Sequence, residues 1–344
     1  MKEIEIQNLL EAYYAMSTLK FSERKDKAIM QRYRSDAEDI YTAQQWAWLL
    51  WSECMQHLNI FRIIAMLSLS ELYRGKKNSV ILFGDWAKQA FIMACINEFD
   101  AENSEEAKIA HLCKILADGN FFITYSGEAK NMTEAQFTNL IHVQETLDTL
   151  KSKIRQGVIN WNIKGIRRES IAEHVYSVQQ LAWLMWLATN EKIDILKVVG
   201  TLSIHEVEET IIGDITPYSG ITPKQKREMG IKAVKEVLGN LKQYEFMHDL
   251  INEFDDEETP NAFFAHLCDK LDCDLTIKYY SDGGYCSIEI ATDSMKNNPK
   301  IQKLIEAGAE TVADVFIMAD EHIYTGTIFE EVLNFAKVCD VTRL

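Results

Sequence analysis

The chain has 344 residues, a formal charge of −16, 47% hydrophobic residues, and only 15 glycines and 4 prolines. Glycine and proline together stay under 6% of the chain, about half of average usage. That excludes a sandwich or barrel with its frequent turns, and the collagen-like and low-complexity classes with it. The apolar share excludes global disorder, and the acidic excess excludes a basic nucleic-acid-binding face or docking on anionic membrane surfaces.

In chain order, the opening segment MKEIEIQNLLEAYY reads as an acidic helix without the apolar core of a signal peptide. No stretch approaches the roughly 20 apolar residues of a spanning helix. The seven cysteines form no C-x-x-C pair and sit in apolar settings, which predicts reduced thiols and a cytoplasmic protein. Residues 37–51, AEDIYTAQQWAWLLW, predict a buried helix, and they return at 172–186 as AEHVYSVQQLAWLMW, with nine of fifteen positions identical at an offset of 135. The same offset aligns Leu67-Ser68-Leu69-Ser70-Glu71 with Leu202-Ser203-Ile204-His205-Glu206. INEFD at 96–100 and 251–255, AHLC at 110–113 and 265–268, and Tyr125-Ser126 with Tyr280-Ser281 share an offset of 155. The chain is therefore read as an internal duplication. Its second copy carries about 20 extra residues between His205 and Ile251, including GDITPYSGITPKQK.

Residues 129–160 predict a helix that opens the second copy and ends at Gly157. Apolar residues at helical spacing predict helices over 172–190, 193–212, 245–254 and 262–280. Thr222-Pro223 is a helix start, and Asp282-Gly283-Gly284 a turn. The expected architecture is all-α: two tandem helical bundles, 1–130 and 131–344, packed on each other. The tryptophans at 46, 48, 51, 183 and 186 belong to the core or to the contact between copies.

The copies differ where chemistry would sit. His174 stands opposite Asp39, His205 opposite Ser70, and Asp269 opposite Lys114; Glu206 alone has a like partner, Glu71. Scaffold residues are kept and potential ligands are not, which points to a site in the second copy. Two histidines with carboxylates suit one divalent transition metal ion (manganese, cobalt, iron, nickel or zinc), and the ligand types do not choose among them. The segment His205-Glu206-Val207-Glu208-Glu209 is not a zinc-protease helix, because position 209 is glutamate rather than histidine. His111 and His266 occupy matched positions, which favours a scaffold role.

The order of these residues resembles the HD-domain metal-dependent phosphohydrolases, in particular their small 5′-deoxynucleotidase-like branch. The motifs are Arg167-Arg168-Glu169-Ser170-Ile171-Ala172-Glu173-His174, then His205-Glu206 with Glu209, Gly213-Asp214-Ile215 and Pro217, then Asp269 in AHLCDKLDCDL. The resemblance covers about residues 145–335. It implies a metal held by His174, His205, Glu206 and Asp269, with Glu209 and Asp214 acting on water and leaving group. It also implies a substrate phosphate near Arg167 and an aromatic contact at Trp161. The name-giving aspartate of the family is Glu206 here, one methylene longer.

The expected activity is release of phosphate from a (deoxy)nucleoside 5′-monophosphate or related nucleotide. The alternative is a catalytically impaired nucleotide-binding pseudoenzyme, motivated by Glu206 and the degenerate first copy. Relatives in this branch are commonly homodimers, so the duplication implies an intramolecular pseudo-dimer, and further dimerisation through another face stays open. In the first copy, Lys114 is expected to put a cation where the metal would sit, paired with Asp39 or Glu71.

Overall fold

The computed structural model describes residues 1–29, 32–70, 85–119 and 132–344. In chain order these form α1 (Glu3–Ser17), a hairpin of β1 (Glu23–Ile29) and β2 (Arg32–Ser35), α2 (Asp36–Cys54), α3 (Ile60–Leu69), α4 (Trp86–Ala101), α5 (Glu105–Ala117) and α6 (Glu134–Leu147). They continue with α7 (Gln156–Asn160), α8 (Ile171–Ala188), α9 (Ile195–Leu202), α10 (Glu209–Ile212), α11 (Pro223–Leu238), α12 (Tyr244–Asp256) and α13 (Pro260–Asp282). The last four are α14 (Asp293–Lys296), α15 (Pro299–Glu306), α16 (Val312–Asp320) and α17 (Ile328–Val338). The fold is all-α apart, among the described residues, from the one antiparallel hairpin. Glu71, Tyr125 and Ser126 lie outside the described residues.

The sequence explains where the central helices begin. Ser35 Oγ accepts a hydrogen bond from the Glu38 amide and the Glu38 carboxylate accepts one from the Ser35 amide; Ser170 and Glu173 do the same for α8. Each such box satisfies two orphan helix donors, and removing a cap costs about 1 kcal/mol. Pro223, Pro260 and Pro299 each open a helix behind a capping Thr222, Thr259 or Asn298. There their missing N–H is harmless.

α2 and α8 are buried on nearly every face and pack against each other at the centre of the molecule. The polar residues on this contact pair reciprocally. Gln44 donates to the Gln179 amide oxygen at 2.7 Å, and Gln179 donates back at 3.0 Å. Gln45 donates to the Ser203 carbonyl at 2.8 Å, and Gln180 to the Ser68 carbonyl at 3.0 Å. The Trp48 indole donates to Ser203 Oγ at 2.7 Å, and the Trp183 indole to Ser68 Oγ at 3.0 Å. Each member of a pair stands 135 residues from its counterpart, so the contacts have the form of an isologous interface. α3 and α9 also meet across it: Phe61 lies where a Cβ on Gly200 would approach its ring to 2.3 Å, so only glycine fits. One apolar cluster runs through both halves, from Leu9 and Trp48 to Leu271 and Leu333, and a second, smaller one forms around Trp161, Ile277, Tyr280 and Val315.

Helices pack across the division expected at 130/131: α1 packs on α8 and α17, while α6 packs on α2. The exchange is itself reciprocal, since Tyr176 donates to the Met16 carbonyl at the end of α1 and Tyr41 to the Leu147 carbonyl at the end of α6. The helix expected over 193–212 breaks after Leu202 into i→i+3 turns and resumes at Glu209, and the one expected over 129–160 ends at Leu147, with Gly157 inside the short α7. Finally, the charged hairpin carries no apolar alternation that a sequence pattern could detect.

Among the described residues no helix is long and apolar enough to cross a membrane, and all seven cysteines are free thiols.

Candidate metal centre

Three helical segments converge at one point and bring four side chains together. The first turn of α8 supplies His174, the turns after α9 supply His205 and Glu206, and the middle of α13 supplies Asp269. One potential ligand atom from each lies within 4.8 Å of all the others. His174 Nε2 is 2.8 Å from Asp269 Oδ1 and 3.6 Å from Glu206 Oε1; His205 Nε2 is 3.5 Å from Glu206 Oε1 and 3.8 Å from Asp269 Oδ1. Ligands about 2.1 Å from a common ion stand roughly 3.0–3.4 Å apart, so the spacing fits one ion.

The hydrogen bonds also leave the right atoms free. His205 Nδ1 donates to the Leu202 carbonyl at 2.7 Å, which turns Nε2, buried and without a hydrogen-bond partner, towards the cluster. His174 Nδ1 donates to Asp272 at 2.9 Å, so its Nε2 faces Asp269 and Glu206. A carboxylate or carbonyl behind each imidazole fixes tautomer and orientation, as metal-ligating histidines require. Glu206 reaches the cluster despite its extra methylene.

Charge is steeply balanced here. Burial disfavours the ionised Glu206, but His205, Arg155 and His174 outweigh it and hold the carboxyl down at about 2. Burial and Arg155 push the His174 imidazole towards neutrality, while the hydrogen bonds it donates to Asp269 and Asp272 raise it to about 9. Burial and the neighbouring Glu206 and Asp214 charges push the Glu209 carboxyl well above its ordinary range. Its Oε2 has no hydrogen-bond partner.

A cavity of about 190 Å³ opens beside the cluster, and Glu206, Glu209, Asp214, Asp269 and Trp161 line it. Gly213, at φ 72°, turns the chain after α10 so that Asp214 returns to accept a hydrogen bond from the Gln156 amide at 2.6 Å. Trp161 forms a buried wall against Phe316.

Arg167 does not line this cavity. Its guanidinium donates to Glu173 at 2.7 Å and to Glu38 at 3.2 Å, at the contact between halves. Arg32, 135 residues earlier, binds the same two carboxylates. Two buried carboxylates demand two cations, and that demand holds Arg167 away from a substrate.

The arginine in the cavity is Arg155, 3.1 Å from Glu206 Oε1 and 3.8 Å from Asp214 Oδ2. Lys226, from the segment found only in the second half, also lines it, 3.9 Å from Glu209. Burial lowers the Lys226 ammonium, but the surrounding Glu206, Glu209, Glu208 and Asp214 raise it further, so it stays charged. Nothing in the local sequence singles out either residue. Asp272, by contrast, was legible as a neighbour of Asp269, three residues on along the same helix face.

The equivalent place in the first half is filled differently. Arg34 pairs with Asp39, the counterpart of His174, and donates to the Ala117 carbonyl, at the counterpart of Asp272. Lys114 donates to Ser70 Oγ at 3.3 Å. His111 and His266 play scaffold parts: each packs on the matched Phe99 or Phe254, and each faces a matched glutamate, Glu102 or Glu257, at a left-handed helix end.

Residues 147–309 match the HD domain family. The 5′-deoxynucleotidase hdd1 of Schizosaccharomyces pombe is 28% identical over 148 residues, covering 41% of this chain and 72% of that protein. The human 5′-deoxynucleotidase HDDC2 is 23% identical over 191 residues, covering 53% of this chain and 91% of its own. Among solved structures, the PH0347 protein of Pyrococcus horikoshii aligns with a TM-score of 0.41 at 22% identity, over 59% of this chain and 98% of that one.

Proposed function

We propose that this chain, whose residues 147–309 match the HD domain family and which is similar to 5′-deoxynucleotidases, hydrolyses the phosphomonoester of (deoxy)nucleoside 5′-monophosphates, releasing nucleoside and inorganic phosphate. The observation that carries this reading is one cavity that joins the four-residue donor cluster, the buried Glu209 carboxyl and two cations. His174, His205, Glu206 and Asp269 would hold a divalent ion, which when bound would supply Lewis acidity, lowering the pKa of water and offsetting phosphoryl charge. Arg155 and Lys226, which line the same cavity, would hold the phosphate. Glu209 gives its proton to the leaving oxygen. Asp214, held by the Gln156 amide, receives the proton released by the attacking water. Trp161, with Ile277 and Phe316, makes the apolar wall against which the nucleoside rests.

The test is elemental analysis of the purified protein together with phosphate release from a panel of nucleotides with added manganese or cobalt. One equivalent of transition metal and preference for monophosphates are expected. Absence of both would favour the nucleotide-binding pseudoenzyme.

We further infer that the two halves are copies of one fold arranged as an intramolecular pseudo-dimer. The reciprocal Gln44–Gln179, Trp48–Ser203 and Trp183–Ser68 contacts support it. Sedimentation should show that this face needs no second chain, whereas an obligate dimer built through the α2–α8 face would contradict the arrangement.

A further inference from the structure

The groups behind the histidine cluster come partly from a segment outside the 147–309 match. We propose that α1 completes the metal centre of the second half, with Tyr13 as a positioning residue that acts through Asp272 on His174. This rests on reading the cluster as a metal site.

Asp272 is fully buried, and its two oxygens are divided between partners. Oδ2 accepts from His174 Nδ1 at 2.9 Å and from Ser177 Oγ at 3.0 Å. Oδ1 accepts from the Tyr13 hydroxyl at 2.6 Å. Beside it, Lys20 donates to Glu169 at 2.7 Å, tying the end of the same segment to the residue that precedes the α8 cap. A carboxylate held on one oxygen alone can rotate about its own axis, and the imidazole on it then tilts. Held on both, it fixes the ring plane and raises the basicity of Nε2, the atom that faces the cluster. The first half has no such relay: Ala117 stands where Asp272 does, and Asp39 where His174 does.

Tyr13→Phe removes the hydroxyl and keeps the packing. Tyr14→Phe is the control, since Tyr14 anchors the same helix by donating to the Leu275 carbonyl at 3.0 Å without touching Asp272. Cobalt(II) affinity is measured on the full chain by chelator competition, with the ligand-field absorption of the bound ion as a second readout. Tyr13→Phe is expected to weaken cobalt(II) binding about tenfold and to shift the absorption bands, within the range that partners behind metal ligands command. Tyr14→Phe is expected to change the affinity less than about twofold and to leave the bands in place. Unchanged affinity and bands in Tyr13→Phe, or equal losses in both variants, would overturn the positioning role while leaving the metal site intact. Failure of the unmodified chain to take up cobalt(II) would instead overturn the metal reading, and the inference with it.

Discussion

In the proposed pseudo-dimer the two halves place matched helices around two matched points and fill them with opposite chemistry. In the second half, His174, His205, Glu206 and Asp269 converge with a free imidazole nitrogen aimed at the centre. In the first, Arg34 joins Asp39 to the Ala117 carbonyl and Lys114 bonds to Ser70. A buried carboxylate must be neutralised by something. One half recruits side-chain cations to do so permanently, and the other keeps donors that leave room for an ion. A shared scaffold thus does not carry the chemistry: a few substitutions decide whether the crossing point of these helices is a structural ion pair or a reaction site.

The largest test of this contrast writes one half's residue into the other. His205→Ser installs the residue found at position 70 and removes the Nε2 that faces the cluster. Metal content and phosphate release should both fall to background while the helical circular dichroism is kept. Retention of bound metal would mean that the cluster is not the centre proposed.

The converse test is on stability. Arg34→Met deprives Asp39 of its guanidinium in a setting where both side chains are only 13% exposed. A loss of about 3 kcal/mol is expected in urea denaturation, as for other ion pairs broken on one side inside a protein. Adding Asp39→Leu should return most of it, because an apolar pair needs no compensation. An unchanged midpoint in the single variant would show that the first half needs no internal cation.

A smaller effect separates the two arginines. Arg155→Lys loses the planar fork that reaches Glu206 and faces the cavity, and KM for the nucleotide should rise about tenfold. Arg167→Lys should leave KM unchanged and lower the melting temperature slightly, because Arg167 serves Glu38 and Glu173. The reverse pattern would return the phosphate to Arg167.

This exchange of arginines shows what was legible in the sequence and why. Helices α2 and α8 announced themselves through a repeat in which Gln44, Trp48, Gln179 and Trp183 are matched because they meet across one contact. The four donors announced themselves because they differ between halves on a background that does not. Arg155 had neither signal. It is one basic residue in KSKIRQG, and only the packing of α7 against the turn after Gly213 brings it to Glu206 and Asp214. Arg167 had the right neighbours in sequence but the wrong ones in space, since a like residue at 32 and two capping glutamates close on it. The exchange of α1 and α6 between halves was equally silent, because an amphipathic helix states which face it buries and not against which partner.

The four-charge contact itself makes the last comparison, between the two sides of the pseudo-twofold axis. Glu38 is buried, faces Glu173 across the axis and shares Arg32 and Arg167 with it. Burial and the neighbouring Glu173 charge raise its carboxyl to about 7, against the pull of Arg32, the Ser35 amide and Arg167. A carboxyl raised on folding keeps its proton in the folded state at pH values where the unfolded chain has released it. Between the ordinary carboxyl range and about pH 7 the folded state therefore binds more protons, and stability falls as pH rises through that window. Above it the cost of the buried charge is fully present. Glu38→Gln puts a neutral amide in place of the carboxyl at every pH, so the difference between the unmodified protein and the variant carries the titration of Glu38. The pH-dependent part between pH 5 and pH 8 is about 2.5 kcal/mol. On passing from pH 5 to pH 8 the unmodified protein should lose that much stability relative to the variant, read as converging melting curves. Parallel curves would mean that Glu38 stays ionised throughout and that the two arginines satisfy both halves of the contact equally.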